Sequence, residues 1–177
     1  MRRTGLIALL LPIAAQAQEA IYEFSWDGAG GYSLQGAVAV DRLRDETALI
    51  TQDDVSCFYI KGRLGDREIG EWGLGLLNEE TWWRMLLDPQ VPAFLVEGMG
   101  AQMPQAWNMD GFGTSCGAGG FGFNIGSAAQ DLCIDGQLIV DSQIDPFRPF
   151  PVTPVQTHAF PAYACRGVDL LSQLDLE

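Results

Sequence analysis

Apolar and polar side chains alternate most clearly over residues 21–41. Tyr22, Phe24 and Trp26 alternate there with Glu23 and Ser25, and after a Gly-rich break Tyr32, Leu34, Val38 and Val40 resume the pattern. Two period-two runs joined by glycines predict an antiparallel strand pair with the three aromatic residues on one buried face. Opening the domain, its first strand is a candidate sheet edge.

Residues 41–54 are polar. Within them Thr51-Gln52-Asp53-Asp54 has the form of a capping box that starts one helical turn; the competing reading is a loop with solvated acids. Residues 55–61, rich in Val, Phe, Tyr and Ile and closed by Gly62, predict a well-buried strand. Four glycines break residues 63–75 and leave room for a short strand over 68–72. Residues 79–87 carry both signals. Asn78 with Glu79 and Glu80 would start a helix, whereas Trp82, Trp83 and the Asp88-Pro89 stop suit a strand. The strand is preferred, with 93–97 as its hairpin mate. Residues 105–109 form a further short strand ending at Asp110-Gly111.

The run 111–126, G-F-G-T-S-C-G-A-G-G-F-G-F-N-I-G, is too rich in glycine for a helix, but Phe121, Phe123 and Ile125 still alternate with small residues. An edge or bulged strand is expected there. Asp135-Gly136 marks a hairpin turn within 132–141. Four prolines make 145–154 a rigid extended connector. Residues 157–165 read as a last strand interrupted by Pro161, and an acidic tail, 167–177, frays. Many short strands and no long amphipathic helix define an all-β fold: an antiparallel β-sandwich or flattened barrel in a single domain.

The N-terminus places this domain outside the cytoplasm. Arg2 and Arg3 precede an apolar run over 5–15 and a small-x-small site at Ala15-Gln16-Ala17, the form of a secretory signal peptide over residues 1–17. Residues 18–177 then form the mature domain, periplasmic or secreted, with no membrane span once the leader is cleaved. The four cysteines, Cys57, Cys116, Cys133 and Cys165, predict two disulfides. Three pairings are open, and loop entropies of roughly 3.5–4.5 kcal/mol do not separate them. Closeness in sequence favours Cys57–Cys116 with Cys133–Cys165. With no C-x-x-C and one histidine, a zinc site is excluded, and no other cofactor is implied. A net charge of −13 excludes nucleic acid and anionic lipid as partners.

Gly113-Thr114-Ser115-Cys116-Gly117 fits G-x-S-x-G, and Asp141 and His158 follow in the order of an α/β-hydrolase triad. The context argues against it, because no buried strand precedes Ser115 and the glycines after it make a poor helix. His158, the single histidine, reads as structural or solvated. The same run lacks the Gly-Lys-Ser/Thr of a phosphate loop. Carboxylates are plentiful (Asp53 and Asp54, Glu79 and Glu80, Asp141 and Asp145), but glycosidase use depends on spacing in three dimensions. No D-x-D-x-D-G loop is present, and Asp27, Asp110 and Asp135, each before a glycine, read as turns; calcium on surface carboxylates stays open. Five tryptophans are many for this length. Trp82, Trp83 and Trp107 are the candidates to stack on sugar rings, against a competing role in core packing.

The pattern Y-E-F-S-W-D-G … G-Y-S-L-Q-G-A-V-A-V-D, followed by I-T-Q-D-D-V-S-C-F-Y-I, resembles the opening of a diffuse group of exported bacterial β proteins of unknown function. Many of these carry a C-terminal PEP-CTERM sorting signal. The likeness covers residues 22–61 and, more loosely, 83–96. It implies an exported β domain and brings no catalytic residues. The chain ends in Leu-Asp-Leu-Glu without that signal, so sorting to an anchoring enzyme is not expected. The expected function is a non-enzymatic structural or interaction module of the envelope or extracellular matrix, with an extracellular polysaccharide or envelope protein as partner. The alternatives are a carbohydrate-binding module using exposed tryptophans and a serine hydrolase on Ser115, Asp141 and His158.

Overall fold

The computed structural model describes residues 19–40, 47–97 and 103–167. The expected leader over 1–17, part of the polar stretch after the first hairpin and the expected tail after Gly167 lie outside the described residues. Within them the fold is an all-β sandwich of two antiparallel sheets.

The opening hairpin forms as its pattern dictates. β1 (Ala20–Asp27) and β2 (Tyr32–Val40) pair from Ala20↔Val40 to Asp27↔Ser33, and Tyr22, Phe24 and Trp26 are buried while Glu23 and Ser25 face outward. β3 (Ile50–Thr51) leads into a single 3-10 turn, Gln52–Asp54. There the Asp54 carboxylate accepts the Thr51 backbone N–H at 2.8 Å, so the capping box is real. β4 (Val55–Leu64) runs past the expected strand, and β5 (Arg67–Gly73) pairs with it. β6 (Trp82–Arg84), β7 (Leu86–Asp88) and β8 (Ala93–Phe94) settle the ambiguous stretch as strand, with β7 and β8 the expected hairpin.

Next come β9 (Gln105–Met109), β10 (Phe121–Ile125), β11 (Gln130–Ile134), β12 (Gln137–Leu138) and β13 (Phe150–Val155). The large sheet has the order β3-β7-β8-β13-β1-β2-β4-β5, and the small sheet β12-β11-β10-β9-β6. The Asp135-Gly136 turn joins β11 to β12 with both residues at positive φ (49° and 76°), the geometry of a tight hairpin.

Several expectations are corrected. β1 is no edge: it lies between β2 and β13. β10 is the middle strand of the small sheet and is buried along its whole length. Its one glycine allows this, since Gly122 lies tight against the backbone of β9; a Cβ there would come within 2.8 Å of the Trp107 carbonyl. The proline-rich connector contains β13, which pairs with β1 through 152–155 and with the two-residue β8 through 150–151. Pro154 lies past the two-residue β8 on the free side of β13, and Pro151 lies past the end of the β1 ladder, so neither missing N–H costs a ladder bond. Residues 157–165 form no strand. They cross the outer face of the large sheet as an irregular strap that ends in one bridge, Cys57↔Cys165. The disulfides are Cys57–Cys165 and Cys116–Cys133, not the pairing that sequence proximity favoured. Because loop entropy grows only logarithmically, one long loop with one short loop sums to nearly the same as two of middle length, so the fold decides the pairing.

Between the sheets lies one aromatic core. Trp107 of β9 is fully buried and has ring neighbours at 4.8 Å (Phe123), 4.9 Å (Phe58), 5.0 Å (Phe94), 5.5 Å (Phe24) and 5.9 Å (Phe150). Its indole N–H donates to the Gln105 side-chain oxygen at 3.3 Å, and the Gln105 amide in turn donates to the carbonyls of Leu86 and Leu95. At the end of the core Phe121 lies over paired glycines, Gly62 of β4 and Gly70 of β5. A Cβ at either would come within 2.2 and 2.4 Å of its ring. Trp107→Ala is expected to cost about 3–5 kcal/mol of unfolding free energy in urea denaturation, with Trp107→Phe costing clearly less.

Candidate functional site

The register of the large sheet sets one transverse row on its outer face. Thr153 of β13 stands beside Glu23 of β1, Glu23 beside Ala37 of β2, Ala37 beside Tyr59 of β4, and Tyr59 beside Gly73 of β5. Side chains one residue away point into the core, so this row is what the alternation of β1 and β4 leaves outside. Ala37 contributes only a methyl group, which opens a gap between Glu23 and Tyr59. His158, carried by the strap, bridges that gap. Its Nδ1 lies 2.8 Å from Glu23 Oε1 and its Nε2 lies 3.1 Å from the Tyr59 hydroxyl.

In the neutral ring, Nδ1 faces the carboxylate and donates to Glu23, and Nε2 accepts from the Tyr59 hydroxyl. Burial pushes the Tyr59 hydroxyl above its ordinary range, with Lys61 opposing the shift and Glu23 adding to it, so the phenol stays neutral and remains a donor. The ring of Phe160 closes the row from the strap side, 4.8 Å from the imidazole and 6.1 Å from Tyr59.

The strap is held at its other end as well. The Phe58 N–H donates to the Ala164 carbonyl at 2.8 Å and the Gly75 N–H to the Tyr163 carbonyl at 2.9 Å, beside the Cys57–Cys165 bridge. The Tyr163 hydroxyl donates to Glu71 at 2.6 Å, and Lys61 pairs with the same carboxylate at 3.0 Å. The Tyr163 hydroxyl and then the Lys61 ammonium hold the Glu71 carboxyl below its ordinary range.

Beside this row a cleft of about 500 Å³ is lined by Glu23, Ser25, Gln35, Tyr59, Pro151, Thr153 and His158, with Phe24 and Gly36 at its floor. That volume lies in the range of small-molecule sites. The side chains of Ser25, Gln35 and Thr153 make no hydrogen bond to other described residues, so two hydroxyls and an amide face the cleft with their bonding capacity free. Neither lysine nor arginine lines it.

The residues expected from sequence fall elsewhere, apart from His158. Ser115 sits in a turn-rich loop of the small sheet, where its Oγ accepts the Gly117 N–H at 3.2 Å. Asp141 is exposed in a 3-10 turn, Val140–Ser142. His158 has both ring nitrogens engaged by Glu23 and Tyr59, so the three do not form a relay. Trp107, as described, is the centre of the core, and Trp83, Trp72 and Trp26 are buried too. Trp82 is half-buried, with the Arg84 guanidinium 5.3 Å from its ring. No row of exposed tryptophans forms among the described residues. Asp27, Asp110 and Asp135 do make turns; Asp110 accepts the N–H groups of Phe112 and Thr114. No cluster of three or more His, Cys, Asp or Glu side chains suited to a metal ion occurs among the described residues. No helix among them is long and apolar enough to cross a membrane.

Glu23 and Tyr59 carried no motif. Their one signal was position: both are polar or amphipathic residues at outward places between buried neighbours. A buried carboxylate was missed as well. Asp131 of β11 is 4 % exposed and accepts from Asn124 Nδ2 and, at 2.9 Å, from Gln143 Nε2. Comparison with protein-family models, curated proteins and solved structures finds no match for this chain.

Two outcomes check this geometry. Non-reducing peptide mapping should return the peptides Cys57–Cys165 and Cys116–Cys133. Burial pushes the Asp131 pKa up to about 6, against the pull of the Gln143 and Asn124 donors. The folded state therefore holds this proton more tightly than the unfolded chain does. The group's contribution is most favourable at low pH and is lost as pH rises through about 6. Measured against Asp131→Asn, wild-type stability should fall by about 1–3 kcal/mol between pH 4 and pH 8.

Proposed function

We propose that the chain is an extracytoplasmic binding module, periplasmic or secreted, that seats a neutral, hydroxyl-rich ligand the size of one or two sugar rings. The seat is the cleft over Glu23, Gln35, Thr153 and His158, and the partner class is an extracellular or envelope polysaccharide. The observation that carries the reading is the set of free polar groups, Ser25, Gln35 and Thr153, around a row already ordered by Glu23, His158 and Tyr59.

The chemistry of the lining selects the ligand class. Hydroxyl groups can donate to the Glu23 carboxylate and exchange bonds with Ser25, Gln35 and Thr153, while Tyr59 and Pro151 offer flat apolar faces to the C–H surface of a ring. Among the lining residues an anionic ligand would meet the Glu23 carboxylate and no lysine or arginine. Binding rather than catalysis is favoured because the imidazole is occupied at both nitrogens, the phenol is held neutral and all four cysteines are in disulfides. Two disulfides, the leader over 1–17 and the resemblance to exported β proteins support the location.

Isothermal titration with maltotriose, cellotriose and chitotriose should give saturable binding to at least one of them with Kd about 0.1–1 mM. Gln35→Ala and Thr153→Ala should each weaken it about three- to tenfold. A uronic-acid trimer should bind more weakly than the neutral sugars. Preference for the uronate, or no saturable binding of any neutral trisaccharide, would reject the reading.

A further inference from the structure

A second cavity, of about 270 Å³, lies on the outer face of the small sheet, remote from the large sheet's cleft in lining and chemistry. The inward residues of β10 are Phe121, Phe123 and Ile125, which join the core. Asn124 therefore points the other way, and its cross-strand partner is Asp131. Loop residues Met103 and 111–113 stand over this pair from one side, and residues 126–129, Leu138 and Gln143 complete the lining.

Two features of this cavity point to a ligand. Asp131 is a carboxylate in a cavity of mixed polar and apolar lining, and among the described residues no lysine, arginine or histidine reaches it; its partners are two neutral amides. Asn124 is 4 % exposed and its Nδ2 is committed to Asp131, which leaves Oδ1 without a donor. That oxygen lies between two glycines of the lining, 3.4 Å and 3.3 Å from where a Cβ on Gly113 or Gly126 would stand. A side chain at either position would press on it. The oxygen is not sealed off: it opens into the cavity, where water or a ligand can donate to it.

We propose that this cavity binds a primary ammonium group carried on a short apolar chain, with Asp131 and Asn124 Oδ1 as its acceptors. An ammonium brings a positive charge and three N–H donors, which match the unbalanced carboxylate and the cavity-facing Asn124 oxygen. The chain behind it would lie along Met103, Ala129 and Leu138. Phe112, 86 % exposed at the rim, has an aromatic face free to meet the cation or its methylenes. A bare metal ion fits less well. The cavity is several times the volume of an ion, and it offers a single carboxylate where calcium takes six to eight oxygens. The burial that raises the Asp131 pKa to about 6 is the same desolvation that a cationic partner would offset.

The probe is n-butylammonium chloride, titrated into the 15N-labelled protein at about pH 8 and followed by amide shifts. Saturable binding with Kd about 1 mM is expected, with shifts at Gly113, Gly126, Ser127 and Gln143 rather than at Gln35. Neutral n-butanol and calcium chloride should each bind at least about tenfold more weakly, a comparison that needs only the wild-type protein. Asp131→Asn, checked for an unchanged near-UV spectrum, should lose about tenfold. The proposal is overturned by equal binding of butanol, by displacement of the amine with a lower concentration of calcium, by shifts centred on Gln35, or by no saturation.

Discussion

Five rings pack around the Trp107 indole, drawn from β1, β4, β8, β10 and β13, so both sheets are fixed against one side chain. Close-packed interiors transmit small displacements rather than absorbing them. The positions of β1, β4 and β13 on the inside therefore determine where Glu23, Tyr59 and Thr153 stand on the outside. Period-two geometry makes the two faces inseparable: Phe24 cannot be buried without exposing Glu23, and Phe58 cannot be buried without exposing Tyr59.

The strap converts that exposed row into a cleft. The Cys57–Cys165 bridge and the backbone bonds at Phe58 and Gly75 moor one end, and the contacts of His158 moor the other. A residue larger than Ala37 would fill the space the imidazole spans, and a side chain at Gly73 would strike the Tyr163 carbonyl, 2.5 Å from its Cβ position. Small residues on an outer sheet face thus have a purpose: they make room for a chain segment to lie across the sheet. The outcome is a His158 of fixed orientation beside polar side chains whose hydrogen-bonding capacity is unspent.

Local patterns made much of the fold legible. Alternation in β1, β2 and β4, the Asp135-Gly136 turn and the Thr51–Asp54 box are short-range signals, and each appears where its chemistry requires it. The errors are long-range. Glycine at 122 reads as weakness within a strand, yet in three dimensions it gives β10 the close approach to β9 that a central position needs. Prolines in 145–154 read as a connector, yet Pro151 and Pro154 fall where β13 has no ladder partner for their missing donors. The candidate site was hidden for the same reason. Glu23 and His158 are 135 residues apart, and only the folding of the strap across the sheet brings them together. The tryptophans misled in the opposite direction: Trp107 looked like a sugar platform and is the core's centre, so the large aromatic count reports packing.

The state of His158 itself tests the account most directly. As the single histidine, it gives one set of imidazole 15N resonances, free of overlap. For the neutral ring the account predicts the Nδ1-protonated tautomer, with scalar or NOE contact to Tyr59, and resonances that move on saturation with a neutral trisaccharide that binds. An Nε2-protonated ring, or an imidazole indifferent to bound sugar, would contradict it.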